Sequence, residues 1–187
     1  MDVLLESLQN FYKEKKNISK FLEITEENRI SLRIIDWFVT NYSKKSNIFY
    51  EIYQTETGKR TFSEEGNVLI RQFNIYNSYK SQLKSYNKKK FDPFCRKNRI
   101  CFCFGLDKNI ETTIGQLNFF RWAIDNLVIE YIYKNFEKIE EDINKFSTNI
   151  KSKKNKNTNE RKKRQELSKS ASRGLILNKR KIILNFN

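Results

Sequence analysis

Residues 79–99, YKSQLKSYNKKKFDPFCRKNR, set Lys80, Lys84, Lys88, Lys89, Lys90, Arg96, Lys97 and Arg99 among Tyr79, Tyr86, Phe91 and Phe94. Ammonium and guanidinium groups neutralise phosphates and release their counterions, and aromatic faces stack on unpaired bases. Arginine also forks onto a phosphate or a guanine edge. Tyr79 and Tyr86 are the candidate stacking residues. Phe91 and Phe94 flank Asp92-Pro93 and read as core anchors around a fixed turn. A second basic run, KSKKNKNTNERKKR at 151–164, contributes Lys153, Lys154, Arg161, Lys162, Lys163 and Arg164 and holds almost nothing apolar. It reads as an electrostatic arm, a nuclear localisation signal or a solubilising tail.

The whole chain points the same way. It has 37 Lys and Arg against 22 Asp and Glu, a formal net charge of +15 on 187 residues. Such an excess suits a polyanionic partner, and nucleic acid is the commonest. DNA and RNA are both open.

Catalytic chemistry is poorly provided for. With no histidine, Ser-His-Asp and Cys-His catalysis and histidine-bound metals are excluded. Cys95, Cys101 and Cys103 have no fourth ligand at a recognised spacing, so neither a metal nor a cofactor is expected. On a strand, Cys101 and Cys103 would share one face, and the expectation is a small buried apolar pair. An odd, closely spaced set of three cysteines fits a reducing compartment. Thr57-Gly58-Lys59 lacks the upstream glycine of a phosphate loop and reads as a hairpin turn. Glu26-Glu27, Glu64-Glu65 and Glu140-Glu141-Asp142 could serve a two-metal nuclease, but solvated helix faces and loops explain them more simply. No catalytic residue is assigned, and the protein is expected not to be an enzyme. No run approaches the ~18 apolar residues that span a bilayer. The N-terminus lacks the parts of a signal peptide, so a soluble intracellular protein without a membrane role is expected.

The elements that must carry these residues emerge from periodicity. Residues 2–16 and 30–42 show helical spacing of apolar side chains, with Ser31 a cap for the second. Residues 47–53 and 68–76 read as strands joined by a long loop, with strand character continuing through Tyr79 and Leu83. Ile100, Phe102 and Phe104 alternate strictly, predicting a strand that ends at Gly105 and Asp107. Thr113 and Gln116 have capping-box spacing, opening an apolar helix that Asp125-Asn126 interrupts before a longer one. A helix-turn-helix reader is disfavoured there, because only Arg121 and Asn118 would point outward. The predicted class is α+β, helices packed on a small, mainly antiparallel sheet. The domain plan is a core at 1–148, a disordered basic linker at 149–166, and a segment at 167–187 that returns to the core as a C-terminal strand.

The blocks SLRIIDWFVTNYSKK, YKSQLKSYNKKKFDPFCR, TTIGQLNFFRWAIDNLVIEYI and RKKRQELSKSAS resemble an uncharacterised family of small basic proteins from nucleocytoplasmic large DNA viruses, the mimivirus-like giant viruses and their relatives. The resemblance covers most of residues 31–187. It implies a viral origin; members of that family commonly carry a small or polar residue where this chain has Leu127, which implies a turn there, and the resemblance supplies no catalytic residue. The expected function is non-enzymatic, weakly sequence-specific nucleic-acid binding in genome handling or late gene expression. The alternative is a structural virion or viral-factory protein that binds acidic protein partners. Expected locations are the host cytoplasm, in the viral factory, or the virion; the basic linker would direct the chain to the nucleus. Other viral proteins are further expected partners.

Overall fold

The computed structural model describes residues 3–26, 30–65, 67–105, 108–154 and 176–178. The chain divides into two units of interleaved sequence, one from residues 1–29, 82–124 and 169–187, the other from 30–81 and 125–168.

The first unit starts with α1 (Val3–Lys13) and α2 (Lys15–Glu26). The helical pattern expected over 2–16 breaks at Glu14, whose carbonyl accepts from the Asn17 amide at 2.9 Å and opens a second helix. The buried Asn17 side chain also donates to the Phe11 carbonyl at 3.0 Å, which seals the joint. Leu8, Tyr12 and Phe21 are fully buried. Tyr12 carries a hydroxyl into this core and donates it to the Leu117 carbonyl at 2.8 Å, so the polar atom does not bear its desolvation cost unmet. Strands β4 (Ile100–Cys103), β5 (Asn109–Thr112) and β6 (Ile176–Asn178) form an antiparallel sheet in the order β4-β5-β6. The C-terminal strand thus returns as expected. The stop foreseen at Gly105 is a hairpin, closed by the Phe104 amide donating to the Lys108 carbonyl at 3.0 Å with Gly105 at φ 144. Helix α6 (Ile114–Asp125) buries Leu117, Phe119, Phe120 and Ala123 completely, and Phe120 meets Phe21 edge-on at 5.5 Å.

Strand parity corrects the reading of the cysteines. Phe102 is the residue turned inward, against the edge of Tyr12 at 5.8 Å. Cys101 and Cys103 share the opposite face and are exposed. Alternation settles which residues share a side; Phe102 settles which side is the core.

The second unit contains α3 (Leu32–Trp37), a π-helical turn (Phe38–Tyr42) and α4 (Ser43–Lys45). Ser31 caps α3 as expected, its hydroxyl accepting from the Ile34 amide at 3.3 Å. Hydroxyls from Thr40 and Ser43 take the carbonyls of Asp36 and Val39, competing with the helical ladder where its register widens. A second antiparallel sheet, β2-β1-β3, comprises β1 (Phe49–Gln54), β2 (Arg60–Thr61) and β3 (Val68–Asn74). Thr57-Gly58-Lys59 is the hairpin turn between β1 and β2, with Gly58 at φ 75. Helix α5 (Ile75–Lys90) succeeds β3 directly and continues into the first unit after Ser81. The strand expected through Tyr79 and Leu83 is therefore helix. Asn74 decides it, because its Oδ1 accepts from the Asn77 amide at 2.9 Å as an N-cap.

Past α6 the expected interruption falls one residue later, at Asn126 and Leu127, and Leu127 takes the left-handed conformation at φ 57. Two helices come next, α7 (Val128–Lys134) and α8 (Phe136–Lys154). Arg60 holds the Asp125 carboxylate at 2.7 Å, and Asp142 accepts from Trp37 Nε1 at 3.1 Å and from the Lys45 ammonium.

On β1, the Tyr53 hydroxyl donates to Glu51 at 2.5 Å and the Gln72 amide donates to the other oxygen at 3.1 Å. Both hydrogen bonds hold the Glu51 carboxyl below its ordinary value, with Tyr53 the larger cause. The same contact, aided by burial, pushes Tyr53 up to about 12 from 10.0. Because the folded value is raised, the stability this phenol contributes is complete below pH 10.0 and is lost as pH rises through about 12. In a phenolate absorbance titration, the difference between wild type and Tyr53→Phe should ionise near pH 12; ionisation near 10 would contradict the hydrogen bond.

Candidate nucleic-acid interface

On helix α5, Lys80 of the second unit and Lys84 of the first are both exposed. Regular helix stops at Asn87, with φ 53 and ψ 174. Asparagine tolerates positive φ because its short amide bonds locally. Here Oδ1 accepts from the Lys89 amide at 3.0 Å and starts a last turn, Lys88–Lys90.

Residues 91–95, beyond that turn, are pinned to the start of α6. Phe91 is fully buried, 5.4 Å from the Phe119 ring and 5.7 Å from Trp122. The Asp92 amide donates to the Gly115 carbonyl at 3.2 Å. Gln116 Nε2 donates to the Pro93 carbonyl at 3.0 Å, and Asn118 Nδ2 to the Lys90 carbonyl at 2.9 Å. Asp92 Oδ1 accepts from the Phe94 amide at 2.8 Å and sets the turn. Thr113 caps α6 as its spacing predicts, accepting from the Gln116 amide at 3.1 Å. The Gln116 side chain leaves that capping box and serves the basic loop instead. Asn118, expected to point outward, is buried; its carbonyl partner on Lys90 draws it in. Arg121 is half-buried and donates to Ser7 Oγ at 2.7 Å.

Gly115 is where these contacts converge. A Cβ there would stand 2.9 Å from the Lys89 carbonyl oxygen, 3.2 Å from Cys95 Cβ and 3.4 Å from the Asp92 amide nitrogen. The two ends of the loop therefore meet at a single point on α6. The Cys95 thiol also donates to the carbonyls of Lys89 and Lys97, at 3.8 and 3.6 Å. Lys88, Lys89 and Lys90 arrive on one side of this closure, and Arg96 and Lys97 leave on the other.

Among the described residues, Lys80, Lys84, Lys88, Lys89 and Lys97 have no carboxylate at ion-pairing distance. All five are exposed, as is Arg96, while Lys90 is half-buried. Arg99 differs from them, since Glu111 holds its guanidinium at 3.3 Å. Tyr86 lies nearly parallel to the buried Phe91 ring at 6.5 Å and 21°. Tyr79 and Lys80 lie on the part of α5 that belongs to the second unit. Lys153 and Lys154 end α8, so the basic run begins as helix. Arg161, Lys162, Lys163 and Arg164 lie outside the described residues. The positioning roles of Gly115, Gln116 and Asn118 escape sequence reading. Their one signal is a glycine just inside a capped apolar helix.

Residues 1–184 match a family described as "Family of unknown function (DUF7197)". The chain belongs to this family. It is 41% identical over 152 residues to "Uncharacterized protein L507" of Acanthamoeba polyphaga mimivirus, covering 79% of this chain and 52% of that protein. The chain thus spans about half the length of this curated relative. The match bears out the resemblance to an uncharacterised giant-virus family. No solved structure matches.

Gly115→Ala should destabilise the protein by about 1–3 kcal/mol, the usual cost of overpacking against groups that cannot retreat. Urea unfolding measures it. An unchanged midpoint would show that the Lys89 carbonyl yields freely and that this contact does not fix the loop.

Proposed function

We propose that the chain binds nucleic acid through its phosphate backbone, without catalysis and with little sequence preference. The observation that carries this reading is the set of five exposed ammonium groups lacking carboxylate partners among the described residues. Four of them, Lys84, Lys88, Lys89 and Lys97, lie on or beside a loop whose backbone is anchored through a fully buried phenylalanine. An exposed lysine adds little to stability even when paired, typically about 0–1 kcal/mol. Folding therefore gives no account of so many together. Phosphate gives one, because each neutralised phosphate releases counterions.

The aromatic residues take a smaller part. Phe91 is in the core, and Tyr86 is half-buried along it. Backbone contact dominates and base stacking on Tyr86 and Tyr79 is secondary, so duplex and single strand bind comparably. In the family's giant-virus setting, such binding serves genome handling or late gene expression, in the viral factory or the virion. The lysines and arginines of 151–164 extend the electrostatic reach.

Affinity for short DNA and RNA should fall steeply and log-linearly with salt. Replacing Lys88, Lys89 and Lys97 together by glutamine should reduce the salt slope by about 3, roughly one per lost phosphate contact. Lys145→Gln, on an ammonium paired with Glu141 at 3.1 Å, should leave it unchanged. No binding at low salt would overturn the proposal in favour of a structural protein that recognises acidic protein partners.

A further inference from the structure

We propose that Cys101 and Cys103 together chelate a soft monovalent metal ion of the copper(I) class on the exposed face of β4. The two thiols flank the buried Phe102, stand on the opposite side of the strand and face solvent. They are neighbours on that face, two residues apart on one strand. Burial in the core, the ordinary reason for a small cysteine on a strand, does not apply to either.

Strand geometry decides between the chemistries open to such a pair. Residues i and i+2 of an extended strand are about 6.8 Å apart, with parallel side chains. A relaxed disulfide wants Cβ atoms about 3.8 Å apart, so closing one would buckle β4 and break its ladder with β5. A metal ion asks less, because two metal–sulfur bonds of about 2.3 Å to a two-coordinate ion set the sulfurs up to about 4.6 Å apart. Two thiols on the same exposed face of one strand meet that span by side-chain rotation. Binding replaces two S–H bonds with two metal–sulfur bonds and releases two protons, with no change of oxidation state.

The ligand set selects the ion. Among the described residues, no group of three or more His, Cys, Asp or Glu is placed to hold a metal, whereas structural zinc wants four ligands. Glu111 lies directly across from Cys101 in the β4–β5 register, but Arg99 holds its carboxylate at 3.3 Å. Two thiolates alone suit a soft ion that accepts two-coordination, and thiolate softness favours copper(I).

The test is a titration of the reduced full-length chain with copper(I) against a chromogenic copper(I) chelator, with native mass spectrometry for stoichiometry. One ion per monomer, retained in excess glutathione, is expected. Cys101→Ser and Cys103→Ser should each weaken binding roughly a hundredfold or more, because chelation multiplies the affinity of a single thiol by about that factor. Cys95→Ser should bind like wild type. Removal of the ion by glutathione, a copper-bridged dimer, or serine variants that bind as wild type would each overturn the chelate.

Discussion

The arrangement of cationic residues in this chain depends on the approach of one backbone to another at Gly115. No side chain fits between α6 and the Lys89 carbonyl, 2.9 Å from where a Cβ would be. That exclusion brings Lys89 and Cys95 to the same place on the helix. Phe91 enters the core beside them, and full burial of a phenylalanine contributes roughly 2–3 kcal/mol. Gln116 and Asn118, buried polar residues on α6, then bond to the carbonyls of Pro93 and Lys90. Their own need for partners inside the core is what fixes the loop.

A loop that presents several like charges carries a repulsive cost, and ordering it takes about 1–2 kcal/mol of backbone entropy per residue. The anchors offset that cost from beneath, through groups on the buried side of the loop. Exposed and buried sides of the loop thus have separate tasks. Phe91, Asp92 and Pro93 hold it; Lys88, Lys89 and Lys97 remain available. Arg99 has passed to the other task, since its ion pair with Glu111 ties the start of β4 to β5.

Much of this is legible in the sequence, and the failures have physical causes. Ser31 and Thr113 announce their helices because capping is local chemistry read over three residues. The C-terminal strand shows itself in the apolar recovery after a polar run. The helix at Tyr79 to Leu83 mimics a strand because aromatic and polar residues there also alternate, and the deciding Asn74 cap precedes the pattern. Alternation puts Cys101 and Cys103 on the correct strand, but the expectation of burial puts them on the wrong side. Composition cannot say that Phe102 outweighs two thiols for the core. The anchoring roles of Gly115, Gln116 and Asn118 are invisible for a different reason: their partners lie some twenty-five residues away, and only tertiary contact gives them meaning.

Hydrogen exchange along the full chain, with and without a short DNA duplex at low salt, tests the central claim most directly. Binding through the anchored loop predicts new protection confined to the end of α5 and residues 88–99, with the amides of α6 already slow in the free protein. Protection that appears elsewhere and leaves 88–99 unchanged would contradict it, as would rapid exchange at 91–95 in the free protein.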